Sequence, residues 1–267
     1  MKACSGGLLG EHMIQSIDLN SDLGEGFGPW SMGDDATMLG LVNSANIACG
    51  GHASDPETMF ETLRLATARG VIVGAHPGYN DRIGFGRRVI PMTPAEIGRM
   101  IAAQIGSLQA LAALAGTSVR YVKPHGALAN LAADKRDVAD AIVSAVQAIS
   151  PDLAILAISG TELHMAANTA GVVVFAEIFA DRAYLSNGRL VPRSQPGAVI
   201  HDPDQAVARL LTFMQTGLMP VLDGDAIALS AQSICVHGDS PGAVAMTRMI
   251  GQRLGSAGIR LAPFLAP

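Results

Sequence analysis

The sequence predicts an α/β protein whose parallel strands close into a β/α barrel. Two observations predict it. Short β-branched runs alternate with longer helical patterns about seven times, and ionisable residues cluster just after the apolar runs. Repeated right-handed β-α-β crossovers either close into a barrel or form a doubly wound open sheet. In a barrel all strand ends share one rim and point into one cup. In an open sheet they split about a switch point. Polar residues after nearly every strand favour the barrel. The composition agrees: 267 residues are 49% hydrophobic and 15% charged, with only 4% aromatics. Small aliphatic side chains suit helices packed on a parallel sheet, and this balance excludes a disordered chain.

The elements follow in order. Residues 16–19 read as the first strand and 34–42 as a helix. Residues 45–48 form the second strand. The helix at 56–68 follows, with Asp55 as N-cap ahead of Pro56 at the first helical position. The third strand is 71–74. Thr93, Pro94 and Glu96 then open a long helix reaching about residue 115. Strand 119–122 precedes helix 136–149, and strand 153–158 precedes helix 161–170. The sixth strand, 172–176, leads into a long polar connection over 181–200 and a helix at 203–216. The seventh strand is 232–236, followed by helix 241–254 and a short strand or tail at 259–261. Residues 1–12 read as a dispensable N-terminal extension, disordered or non-native, which leaves 13–267 as a single barrel domain.

Several function classes are disfavoured. The net charge is −5 and the 18 basic residues form no block, which argues against nucleic acid or an acidic membrane surface as partner. No uninterrupted apolar run reaches the ~18 residues of a membrane helix, and the N-terminal apolar stretch is too short for a secretory signal. Cys4, Cys49 and Cys235 are odd in number and form no CxxC. A disulfide scaffold is therefore disfavoured and a reducing cytoplasm expected. Cys49 and Cys235 read as small buried hydrophobes. No phosphate-binding GxxxxGK[ST] or post-strand GxGxxG occurs, so any nucleotide needs a non-standard loop or another subunit.

The chemistry concentrates at the strand ends. Asp22 and Glu25 follow the first strand and His52 the second. His76 follows the third, Lys123 and His125 the fourth, Glu177, Asp181 and Arg182 the sixth, and His237 and Asp239 the seventh. A lone histidine is usually structural, and that reading is kept for His12, His164 and His201. Four of the seven histidines on one rim reverse it. Lys123 is one of three lysines (with Lys2 and Lys135). At the end of a buried strand it needs partners, for which Glu177 and Asp181 are candidates. Arg87 and Arg88 are either a solvated pair or an anion clamp. Carboxylates with dispersed histidines suit a divalent ion.

Seven blocks carry a resemblance: Asp18 to Glu25, Ser44 to Ala53, Gly74 to Tyr79, Gly84 to Arg88, Val122 to Leu128, Phe179 to Tyr184 and Cys235 to Asp239. Together they closely resemble the LamB/YcsF family, in that family's order, from about Ile14 to Ile259. The resemblance implies an irregular seven-stranded, TIM-like β/α barrel of the glycoside hydrolase/deacetylase type. In that group Asp22, His76 and His125 are the positions expected to hold a catalytic divalent metal. It further implies work as one subunit of an ATP-dependent 5-oxoprolinase, with 5-oxo-L-proline as substrate, ATP as co-substrate and two partner subunits, B and C. A homo-oligomer is left open.

On this reading Asp22, His76 and His125 position or deprotonate water, directly or through a metal. Lys123 and Arg182 stabilise an oxyanion or phosphate. Glu25 or Asp239 shuttles a proton, and His52 and His237 orient substrate. Asn20, Asn46, Arg87, Arg88 and Glu177 complete the substrate or phosphate contacts. Two other readings compete: a stand-alone metal-dependent amidase or deacetylase on a lactam or sugar, and a non-catalytic small-ligand-binding subunit. Two positions depart from the family: Ser54 stands where glycine is usual and Ala129 where tyrosine is usual.

Overall fold

The computed structural model describes residues 14–239 and 242–266. In chain order it comprises β1 (Ser16–Leu23), α1 (Asp35–Met38), β2 (Ser44–Ala48), α2 (Pro56–Arg69), β3 (Ile72–His76) and α3 (Pro94–Leu114). Next come β4 (Val119–Val122), α4 (Gly126–Asp134), α5 (Arg136–Ile149), β5 (Ala154–Ile158), α6 (Glu162–Thr169) and β6 (Val174–Phe179). The chain continues through α7 (Pro203–Thr216), β7 (Leu218–Met219), β8 (Ile227–Ala228), β9 (Ser233–His237), α8 (Ala243–Ser256) and β10 (Arg260–Leu261). Strands β1 to β6 and β9 pair side by side in parallel, and β9 returns to β1 to close a seven-stranded barrel. The short β10 runs parallel to the start of β1. A small antiparallel ribbon, β7–β8, stands apart.

Local chemistry sets the element ends. Asp55 caps α2 by accepting from the Glu57 and Thr58 amides, and Gly70 ends that helix at φ 66°. Thr93 and Glu96 form a reciprocal capping box at the start of α3. By length and composition α3 is apolar enough to cross a membrane. Its Ile97, Ile101, Ile105 and Leu108 nevertheless lie in the main core with Leu19, Ile47 and Val73.

Alternation along each strand sends those apolar residues outward to the helices and the polar ones inward. At its lower end the barrel is plugged by Ile72, Tyr121 and Leu156 with Phe175 and Phe264. The rings of Phe175 and Phe264 lie 4.7 Å apart, centroid to centroid. Above the plug the interior is polar.

Several expected boundaries move. β1 extends to Leu23 because Asp18, Asn20 and Asp22 all belong to its inward face. β6 begins at Val174 and runs to Phe179, which places Glu177 inside the strand, opposite Ser233. The first helix shortens to one turn capped by Asp34. The alanine-rich helix α4 follows His125 directly, in a stretch the strand-and-helix reading left without an element. The expected extension 1–12 and the expected helix start at Pro241 lie outside the described residues.

Candidate active site

The polar interior is a hydrogen-bonded ladder rising from the plug. Asp18 accepts from the Ser44 hydroxyl at 2.7 Å and from the Ser233 hydroxyl. The Asn20 amide donates to Ser233 Oγ at 2.7 Å, and Asn46 Nδ2 donates to Asn20 Oδ1 at 2.7 Å. Tyr121 donates to Asn46 Oδ1 at 2.6 Å. Each donor is matched, as a buried network requires. Burial, opposed by the two serine hydroxyls, pushes the Asp18 carboxyl up to about 7.

Lys123 sits on this ladder. Its ammonium lies 2.9 Å from Asp22 Oδ1, 3.1 Å from Glu177 Oε2, 3.1 Å from Cys235 Sγ and 3.3 Å from Asn20 Oδ1. Burial works against its charge, but Asp22, Cys235 and Glu177 more than compensate and hold its pKa well above the ordinary lysine value. Burial raises Glu177 despite Lys123. Asp22 stays well below the usual carboxylate range because His76 and Lys123 outweigh its burial. Asp181, a candidate partner of Lys123, instead binds His237 Nδ1 at 2.7 Å. Cys235 is buried as expected, but its thiol also touches the lysine.

The rim histidines have fixed tautomers. His76 Nδ1 faces the Lys123 carbonyl at 2.7 Å, and His125 Nε2 faces the Phe85 carbonyl at 2.9 Å. Carbonyl oxygens only accept, so both nitrogens carry hydrogen. The opposite nitrogens, His76 Nε2 and His125 Nδ1, then present lone pairs to each other at 2.9 Å. Asp22 Oδ2 lies 3.3 Å from the first and Glu25 Oε1 3.6 Å from the second. Glu25 also meets His52 Nε2 at 3.1 Å, and the His52 ring stacks on His125 at 3.6 Å.

Burial, followed by Asp22 and Asp239, pushes Glu25 well up, while burial and neighbouring histidines push His52 and His125 well down. Such converging lone pairs require a cation, either a shared proton or a metal ion. Each of the two imidazoles gives its other N–H to a backbone carbonyl, the support that ligating histidines use. Glu25, His52, His76 and His125 offer ligand atoms within 4.8 Å of one another, and with Asp22 Oδ2 3.3 Å from His76 Nε2 these donors fit a divalent ion.

These groups form the floor of a cavity of about 410 Å³. Asp22, His76, Arg87, Lys123, His125, Glu177, Arg182 and His237 all line it, as does Ala129. Arg87 closes across the mouth to Asp239 at 2.6 Å. Asn20 and Asn46 lie beneath the floor, in the ladder, and Glu25 and His52 lie behind His125. Arg88 is directed elsewhere: it pairs with Asp81, and its side chain is largely exposed.

Sequence reasoning missed Asp18, Tyr121, Asp181 as the partner of His237, and Arg193. Arg193 lines the cavity and reaches His237 Nε2 at 3.3 Å. Asp18 was detectable, because it shares the strand face of Asn20 and Asp22. Arg193 lies in an aperiodic polar loop and carried no signal.

Known proteins share this arrangement of sequence and fold. The 5-oxoprolinase A subunit of Pseudomonas syringae pv. tomato that bears the number 3 is 51% identical over 251 residues, covering 94% of this chain and 98% of the relative. The 5-oxoprolinase A subunit of Nocardia farcinica is 51% identical over 249 residues, covering 93% and 99%. The crystal structure of the lactam utilization protein from Thermus thermophilus superposes with a TM-score of 0.88 at 41% identity, covering 93% of this chain and 100% of that one. The LamB/YcsF family matches residues 17–267, a span that contains every strand end of the barrel but the first residue of β1 and every residue of the cavity floor. The chain belongs to the LamB/YcsF family.

Proposed function

We propose that this chain is the ring-opening subunit of an ATP-dependent 5-oxoprolinase, which converts 5-oxo-L-proline, ATP and two waters to L-glutamate, ADP and phosphate. The names of its relatives at about 50% identity support the subunit role. The single observation that carries the chemistry is the set of lone pairs from Asp22, His76 and His125 converging on the floor of the cavity.

A five-membered lactam is a stable amide, and ring opening alone is unfavourable. Phosphoryl transfer from ATP to the amide oxygen makes the ring carbon electrophilic and provides a leaving group. Two further subunits, B and C, supply that step, in keeping with a chain that lacks a standard nucleotide motif. One water then adds to the ring carbon and the C–N bond breaks, which leaves the new carboxyl as an acyl phosphate; a second water displaces phosphate from it to give L-glutamate.

In this reading Asp22 and His76 orient the water and take its proton. Glu25, kept protonated by burial and by Asp22, returns a proton towards the ring nitrogen. Lys123 has its donors engaged by four protein groups, so it holds Asp22 ionised and does not itself grip the substrate. Asp22, His76 and His125 would hold a divalent ion, which would supply Lewis acidity when bound.

The test is 5-oxoproline-dependent ATP hydrolysis and glutamate formation by the complex reconstituted with its partner subunits. Asp22→Asn and His125→Ala each lower turnover by about a hundredfold or more. Near wild-type turnover in both ends the assignment. Amide hydrolysis by this chain alone, without ATP and abolished by chelation, establishes the stand-alone amidase instead.

A further inference from the structure

We infer that the outer half of the cavity is an oxyanion-binding subsite formed by Arg182 and Arg193 beside Arg87, separate from the reacting centre on the floor. This deepens the proposed function, since it names the anionic handle by which the substrate is held. It also makes a binding claim that stands apart from turnover.

The guanidiniums outnumber their counter-charges. Arg87 is paired with Asp239, and Asp181 is engaged by His237. Among the described residues neither Arg182 nor Arg193 has a carboxylate within 4.0 Å. Arg182 is 5% exposed, yet it donates only to backbone carbonyls: Val191 O at 2.7 Å and Ala198 O at 3.4 Å. Those bonds fix the plane of the group without neutralising it, while the residue still lines the cavity. A buried cation without a counter-charge is costly. Its guanidinium responds accordingly: burial and the adjacent Arg193 push it down to about 10.

Arg193 is aimed by a relay. His237 Nδ1 donates to Asp181, so its Nε2 carries the lone pair that accepts from Arg193 Nη2 at 3.3 Å. The Phe179 ring lies against His237 at 5.4 Å and limits its rotation. A planar, forked cation held this way matches the oxygens of a carboxylate or phosphoryl group.

Size gives an independent argument. The cavity of about 410 Å³ lies within the range of small-molecule sites. The lactam acid has nine heavy atoms, and its phosphorylated form has thirteen. A ring on the floor thus leaves space at the mouth for an oxyanion.

The experiment titrates the full chain by calorimetry with three probes: inorganic phosphate, 5-oxo-L-proline and the uncharged ring 2-pyrrolidinone. It compares wild type with Arg193→Ala and with Arg136→Ala, which removes the same charge from an outer helix. In the expected result the anionic probes bind wild type and Arg136→Ala alike and bind Arg193→Ala at least tenfold more weakly, while binding of the neutral ring is unchanged by either substitution. Loss confined to 5-oxo-L-proline identifies the carboxylate as the anion held, and loss confined to phosphate identifies the phosphoryl group. Absence of binding by both anions to wild type, or equal binding to Arg193→Ala, overturns the subsite. Rim variants that turn over normally in the complex defeat the proposed reaction but leave this binding result untouched.

Discussion

His76 and His125 face each other with bare nitrogens because two backbone carbonyls take their only hydrogens. The arrangement depends on Lys123, whose charge keeps Asp22 ionised beside them. Lys123→Met leaves Asp22 and Glu177 buried without their shared cation. A loss of about 3–5 kcal/mol is expected, read by urea unfolding near neutral pH. Ser54 illustrates a smaller effect. It is fully buried with φ 76°, a left-handed conformation that a side chain disfavours. Ser54→Gly relieves that strain, and the relief exceeds the extra chain entropy of glycine, so a gain of about 0.5–1 kcal/mol is expected in the same assay. At this scale the sequence was informative about which residues gather, since most of the rim groups it nominated do converge. It could not reveal partners, because Asp181 with His237 and Cys235 with Lys123 are pairings set by strand register across the closed barrel.

At the scale of elements, β1 explains both the success and the shortfall of reading the chain. Its outward face, Ile17, Leu19 and Leu23, is an ordinary strand signal, but its inward face is polar, so the apolar pattern fades before the strand ends. Helix α4 was missed for a different reason: it is short and follows the Lys123-Pro124-His125-Gly126 turn, whose residues read as loop. The pairing of β3 with β4 offers a direct test. A Cβ at Gly74 would stand 2.3 Å from the Tyr121 ring, at the point where the two strands shift register. Gly74→Ala is expected to cost at least about 1–3 kcal/mol through overpacking. Because the Tyr121 hydroxyl holds Asn46, it should also disturb the ladder under Asp22. Thermal unfolding measures the first effect and turnover of the complex the second.

For the whole molecule, the buried ladder ties stability to pH. Asp18 sits among β1, β2 and β9, and burial lifts its carboxyl from 3.8 to about 7. The folded state therefore keeps this proton at pH values where the unfolded chain has released it. Raising the pH from about 4 to about 7 then favours unfolding by an amount on the order of 4 kcal/mol, and the effect levels off above that range. The stability of wild type relative to Asp18→Asn should fall across this window. A difference that stays flat from about pH 4 to about pH 8 contradicts the assignment. The barrel itself was legible in the sequence, because strand ends rich in ionisable groups make sense only on a shared rim. The position of β10 against the start of β1 was not, since two residues carry no periodicity.

The closure of β9 onto β1 has a consequence for synthesis. The Ser21 hydroxyl binds the Val236 carbonyl across 215 positions of sequence, and Ser233 reaches Asp18 over the same span. Contacts so distant along the chain form late. On the ribosome the first six strands emerge with an open seam, exposing the polar lining of the future pocket beside two unpaired edges. Such an intermediate invites wrong partners. The chain thus becomes competent only when its penultimate strand is released, and a chaperone that shields the seam until then would raise the yield of working protein without touching the finished fold.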